Sequence, residues 1–232
     1  VNKDAFQTLR DNYGINTIRL AMYTNKSEGY GPDAVNKVRE GVKYATELGM
    51  YVIIDWHILN DGNPNQHKSE AKKFFTKMSK KYGGQKNVIY EICNEPNGNV
   101  TWNKQIKPYA KTIVKTIRKH SKNAVIVIGT PTWSQDVDVV AQSPLKGKNL
   151  MYALHFYAGT HKEWNQEKLK TAHKKGLPVM VTEFSICDAS GNGALDKASG
   201  NQWLRLLDRY NISYTAWSLC NKNESSALIA ST

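Results

Sequence analysis

Residues 33–57 read DAVNKVREGVKYATELGMYVIIDWH, and a change of rhythm inside this stretch decides the fold. Val35, Val38, Val42, Ala45 and Leu48 recur at intervals of three and four residues, which is one face of an amphipathic helix over 33–48. Gly49 follows where a C-terminal cap is expected. The run from Met50 to Trp56 then abandons the helical period for a short apolar stretch rich in Val, Ile and Tyr, which reads as a strand. An amphipathic helix delivering the chain into such a strand is the repeating unit of parallel α/β architecture.

The same alternation extends in both directions. Further strands are expected over Ile15 to Met22, Asn87 to Cys93, Ala124 to Ile128, Leu150 to Phe156, Pro178 to Glu183 and Ile212 to Leu219. Between them, helices bury Phe74, Phe75 and Met78, then Ile113 and Ile117, then Trp203, Leu206 and Leu207, and Pro108 marks the first turn of its helix. No composition shift, linker or repeat divides the chain, so residues 1–232 read as a single domain. Two architectures suit this pattern, a doubly wound open sheet and a closed TIM (β/α)8 barrel. No strand end carries GxGxxG or GxxxxGK[ST], which favours the barrel. Only seven strands are visible, and the chain opens on a helix over Asp4 to Asn12, so the barrel is expected to lack its first strand and its final helix.

Composition narrows the classes of function. The 232 residues are 40% hydrophobic and 22% charged, enough apolar material for one large core and too ordered a composition for a disordered chain. No stretch approaches the ~20 apolar residues of a membrane-spanning helix, and no signal segment is visible. The formal charge of +12 raises the question of nucleic acid. It is carried mostly by lysines spread along helix-like segments, Lys72, Lys73, Lys77, Lys80, Lys81, Lys111, Lys115 and Lys119, which reads as a solvated face, whereas base and phosphate recognition favours clustered Arg. Cys93, Cys187 and Cys220 show no CxxC spacing, so neither a disulfide scaffold nor a zinc site is indicated, and free thiols are expected.

Side chains alternate along a strand, and barrel active sites lie at the strands' C-terminal ends. Polar residues fall there on inward parity in six strands: Arg19; Asp55 and His57; Glu91 and Glu95; His155 and Tyr157; Glu183; Thr215 and Trp217. Any one of these is more often a satisfied hydrogen-bonding residue than a functional one, but buried charge is costly and such a set implies a task. Glu91, four residues before Glu95 and ~13 Å deeper on an extended strand, reads as an interior carboxylate paired with a buried cation. Asp55, one pleat below His57, reads as its support. Glu95 and Glu183 on opposite strands are the arrangement that glycoside hydrolysis needs, one protonated to release the leaving sugar and the other to attack or to activate water.

The runs Asp55-Trp56-His57, Asn94-Glu95-Pro96-Asn97-Gly98, His155-Phe156-Tyr157 and Val181-Thr182-Glu183-Phe184 resemble those of glycoside hydrolase family 5, and most nearly its bacterial endoglucanase branch. The resemblance covers nearly the whole chain, in order. It implies a secreted, cofactor-free, retaining endo-β-1,4-glucanase in which Glu95 is the acid/base and Glu183 the nucleophile. It further implies that Asn94 reaches the sugar 2-hydroxyl, that Tyr157 and Arg19 hold Glu183, and that His57 and His155 complete the site. Trp217 would stack beneath a glucosyl ring, Trp133 would serve the aglycone side, and Lys222 and Glu224 the non-reducing side. Trp56, Trp102, Trp164 and Trp203 are expected in the core. The ends depart from the family pattern, leaving an open barrel edge for a neighbour to cover.

Other readings remain at this stage. Mannan or mixed-linkage glucan would suit the same machinery, and an incomplete barrel would bind glucan without cleaving it. His57, His155, Glu95 and Glu183 would also suit a divalent metal, against which stand the missing early HxH and the sugar-like setting of Asn94. No metal, nucleic acid or membrane partner is expected.

Overall fold

The computed structural model describes residues 1–230. All seven expected strands and the expected helices between them are present among the described residues. The chain packs as two compact units, the first formed by Val1–Trp133 with Leu145–Met151 and the second by Ser134–Pro144 with the chain from Tyr152 onward.

In the first unit α1 (Lys3–Tyr13), β1 (Thr17–Tyr23), α2 (Pro32–Glu47), β2 (Tyr51–His57), α3 (Lys68–Tyr82), β3 (Val88–Glu91), α4 (Lys107–Arg118) and β4 (Ile126–Ile128) follow one another. The strands are parallel and neighbours in chain order, β1 to β2, β2 to β3 and β3 to β4. α2, α3 and α4 are therefore crossover connections. α2 ends at Glu47 with Leu48 as its cap, and Gly49 beyond it takes φ 69°, the left-handed conformation that glycine adopts without steric cost. Val38, Val42 and Ala45 of α2 are buried, as are Phe74, Phe75 and Met78 of α3 and Ile113 and Ile117 of α4. Trp56 packs on Phe74 with centroids 5.3 Å apart, and Phe75 meets Tyr90 at 6.2 Å. Each such side chain removed from water contributes roughly 1.5–3 kcal/mol before entropy is counted.

A short turn, α5 (Pro131–Ser134), and a short helix, α6 (Val137–Ala141), lead to the second unit's strands. There β5 (Leu150–Tyr157), α7 (Glu163–Lys174), β6 (Val179–Ser185), α8 (Lys197–Arg209) and β7 (Tyr214–Ala216) repeat the pattern, with β5–β6 and β6–β7 parallel. Phe156 stacks on Trp203 at 4.1 Å and on Phe184 at 5.2 Å. β7 is shorter than the expected Ile212 to Leu219, and Tyr214 at its start is exposed. Strands that keep to chain order without a reversal are the topology of a (β/α) barrel rather than of a doubly wound sheet. No helix among the described residues is long and apolar enough to cross a membrane.

Candidate active site

The first unit gathers polar residues from β1 and from the C-terminal ends of β2 and β3. Strand register sets Asp55 level with Glu91, and Arg19 reaches both from β1. Its Nε donates to Glu91 Oε2 at 2.8 Å and its Nη2 to Glu91 Oε1 at 3.2 Å, while Nη2 lies 3.0 Å from Asp55 Oδ2. Both carboxylates are fully buried. One guanidinium thus serves two acids in low dielectric. Burial pushes the Asp55 carboxyl above its ordinary range, Arg19 opposes this, and the Glu91 charge adds to it. Asp55 also meets His57 Nδ1 at 2.6 Å, so the opposite ring nitrogen faces the strand end, 3.4 Å from Asn94 Nδ2.

Glu91 is the interior carboxylate paired with a buried cation that its place below Glu95 predicts. β3 ends at Glu91, and the backbone N–H groups of Ile92 and Asn94 beyond it bond the carbonyls of Val127 and Trp56. Arg19 Nη2 bonds both Glu91 and, at 2.7 Å, Asn94 Oδ1. The Asn94 amide is oriented from its other side by donation from Nδ2 to the Ile58 carbonyl at 2.9 Å. Glu95 follows, 8% exposed, with its carbonyl accepting from Asn97 Nδ2 at 2.9 Å. Pro96 holds the next loop, since its carbonyl accepts from the Trp133 N–H at 2.9 Å. Thr132, Trp133 and Ser134 all take positive φ, 56°, 54° and 57°, a conformation uncommon for non-glycine residues and typical of functional loops. It presents the Trp133 indole 45% exposed. Gly129 at the end of β4 permits this approach, because a Cβ there would stand 2.0 Å from the Cys93 carbonyl oxygen.

In the second unit β5 and β6 set His155 level with Glu183. The Tyr157 hydroxyl donates to Glu183 Oε1 at 2.6 Å, and His155 Nδ1 lies 4.0 Å from Oε2. His155 Nε2 meets the Thr182 hydroxyl at 2.7 Å, and Thr182's carbonyl accepts from Thr215. Glu183 itself is 5% exposed. The Tyr157 backbone N–H donates to His161 Nδ1 at 2.8 Å, and burial holds the His161 imidazole down to about 4, so it is neutral at pH 7. Trp217, half-buried, follows β7, with its N–H on the Phe184 carbonyl at 2.8 Å. Lys222, exposed, and Glu224, half-buried, line a cavity of about 360 Å³ with Asn192, Asn223 and Ser225.

The expected site residues lie in the C-terminal halves of strands or in the loops beyond them, except Arg19, which is the third residue of β1 and reaches Glu91 and Asn94 with its long side chain. Three of the four expected core tryptophans, Trp56, Trp102 and Trp203, are buried. Trp164 is not: it stands 52% exposed in the first turn of α7 with the Lys168 Nζ 5.1 Å from its ring centroid. Its face of the helix also carries Glu167 and Lys168, a polar pattern that the apolar residue alone concealed. Asn97 and Thr182 stand within the family-like runs without an assigned role, and His161 is signalled only by its place four residues after Tyr157. Cys93, Cys187 and Cys220 are free thiols.

Residues 1–223 match the family model described as cellulase (glycosyl hydrolase family 5). The chain is 49% identical to an endoglucanase of Clostridium saccharobutylicum over its whole length, covering 52% of that protein. It is 48% identical to endoglucanase 5 of Pectobacterium carotovorum subsp. carotovorum, with 99% of the chain covering 46% of the relative. The chain spans about half the length of these curated relatives. Among solved structures, cellulase Cel5C_n superposes with a TM-score of 0.94 at 41% identity, over 99% of this chain and 74% of that one. A variant of the Thermobifida fusca endoglucanase Cel5A catalytic domain in complex with cellotetraose gives 0.93 at 32% identity, over 98% and 77%. The fold class is the TIM (β/α)8 barrel.

Proposed function

Since the chain belongs to the cellulases of glycosyl hydrolase family 5, we propose that residues 1–232 act as one catalytic domain that cleaves β-1,4-glucan internally, with retention at the anomeric carbon. The observation that carries this reading is the 2.6 Å hydrogen bond from the Tyr157 hydroxyl to Glu183 Oε1. A carboxylate that accepts a phenolic proton is steadied in its charged form and oriented, which is what a nucleophile requires.

Glu183 attacks the anomeric carbon as the bond to the leaving oxygen breaks, and Glu95 gives its proton to that oxygen. A glycosyl ester on Glu183 results. Water then attacks the same carbon, Glu95 takes the water's proton, and the Glu183 carboxylate leaves. Retention needs the two carboxyl groups about 5 Å apart. Asn94, locked between Arg19 and the Ile58 carbonyl, receives the sugar 2-hydroxyl. His57 and His155 complete the polar wall. Trp217 and Trp133 offer flat apolar faces to pyranose rings, and Lys222 and Glu224 hydrogen-bond sugars beyond the cleavage point. The endoglucanase names of the relatives and the cellotetraose held by one of them favour glucan over mannan. A polymer of this kind is met outside the cell, which favours secretion.

The test is reducing-sugar release from carboxymethylcellulose by the wild-type chain and by Glu183→Gln, with thermal unfolding of both. Activity in the first and none in an equally stable second is the expected result. A cooperatively folded wild type without activity on this or other β-glucans overturns the reading.

A further inference from the structure

The charge of +12 is not spent on a neutral glucan, and the fold gathers much of it in one place. α3 carries six lysines and one acid, Glu70, and α4 carries three lysines, one arginine and no acid. The two helices pack side by side in the first unit. Their apolar residues, Phe74, Phe75 and Met78 on α3 and Tyr109, Ile113 and Ile117 on α4, point inward and leave the outer surface to lysine.

Lys73, Lys77 and Lys81 form one row at four-residue spacing, and Lys111, Lys115 and Lys119 form another; all six are exposed. Like charges at this spacing repel and weaken a helix. On other helices several lysines stand beside acids. On α2, Lys43 faces Glu47, which also takes Lys3 at 2.6 Å, and on α7 Lys170 pairs with Glu167 and Lys168 with Asp136, both at 2.7 Å. Solubility alone would be served by charge spread over the whole surface. Two uncompensated rows on adjacent helices are the electrostatic complement of a linear polyanion.

We propose that the outer face of α3 and α4 is a docking surface for an acidic polysaccharide, a polymer of uronic acid units, which holds the protein beside the neutral glucan it cleaves. This rests on the glucanase reading. Each row sets one ammonium per helical turn, about every 5–6 Å, the scale of a chain bearing one carboxylate per sugar. Lysine supplies point charges suited to single carboxylates, and the one arginine of the pair, Arg118, is occupied with the carbonyls of Ser121, Ala124 and Lys148. The aromatic residues of both helices are buried, so nothing on this face stacks nucleic-acid bases.

The experiment compares three full chains: wild type, a face variant (Lys73→Gln, Lys77→Gln, Lys111→Gln, Lys115→Gln) and an equally charged control (Lys26→Gln, Lys37→Gln, Lys174→Gln, Lys197→Gln). Binding to polygalacturonate is measured across a salt series, with duplex DNA as competitor, beside hydrolysis of neutral hydroxyethylcellulose. The face variant is expected to bind polygalacturonate at least tenfold more weakly with a shallower salt dependence, the control less than threefold more weakly, and all three to hydrolyse the neutral glucan equally. Equal weakening of both variants overturns the proposal in favour of diffuse net charge. Displacement of the polyuronate by DNA at lower concentration overturns it in favour of nucleic acid. Loss of hydrolysis in the wild type would instead strike the glucanase reading and leave the binding result to be judged by itself.

Discussion

The strand ends of the two units are built on different physics. In the first, charge meets charge out of water: Arg19 between Asp55 and Glu91, with His57 drawn onto Asp55. In the second, a phenol and two threonines do much of the orienting, and Glu183 accepts from Tyr157 while His155 leans on Thr182. Removing ions from water is expensive, so a buried ionic network persists where it is fully partnered and fixes a geometry. A carboxylate that must change its bonding during a reaction is better oriented by dipoles, which release it without leaving an ion stranded. By this contrast ion pairs hold the strand residues of the first unit, with Asn94 bonded to the same guanidinium, and neutral donors orient those of the second.

The largest effects are expected at Glu183 and Glu95, the two carboxylates proposed to react. Glu183→Gln or Glu95→Gln should lower kcat on soluble glucan by ~10³-fold or more while the unfolding temperature moves by no more than a few degrees. A variant that fails to fold would move the residue into the structural network. Next, Glu91→Leu should cost about 3–5 kcal/mol in urea unfolding, since it strips Arg19 of its bidentate partner in a dry site. Asp55→Asn should cost less, because burial already opposes the charge on that carboxyl. If the order reverses, Asp55 rather than Glu91 is the principal counter-ion of Arg19.

Smaller effects sharpen the contrast. Tyr157→Phe removes one hydrogen bond to a charged acceptor, about 1.5–3 kcal/mol, so kcat/KM should fall roughly 10- to 100-fold with stability little changed. His161 gives the second unit its own pH dependence. Its folded value near 4 lies below the ordinary 6.5, so the unfolded chain takes up the proton first as pH falls. Stability is therefore complete above pH 6.5, declines by about 3 kcal/mol between 6.5 and 4, and levels off below; His161→Asn should flatten that window in urea titrations. Trp133→Ala should have the smallest effect, raising KM for glucan several-fold, about 1 kcal/mol of stacking, with kcat nearly unchanged.

The sequence by itself determined the succession of parallel strands and helices, because a helix period and a strand period are local properties of neighbouring residues. Strand parity likewise selected His57, His155 and Glu183 towards their strands' C-terminal ends but misplaced Arg19, which sits early in β1, and resemblance supplied their roles. Boundaries drifted where local signals competed, as at β7, whose expected eight residues shrink to three. Tertiary structure decided the rest. That Glu91 and Asn94 share one guanidinium depends on which side chains the neighbouring strands bring to Arg19, which no periodicity states. That Trp164 stands in solvent while Trp56, Trp102 and Trp203 do not depends on which helix face meets the sheet. The lysines of α3 and α4, separated by loop and strand in the chain, become one surface only because consecutive crossover helices pack side by side. Burial and charge density are sums over spatial neighbours, and those neighbours are assigned by the fold rather than by order along the chain.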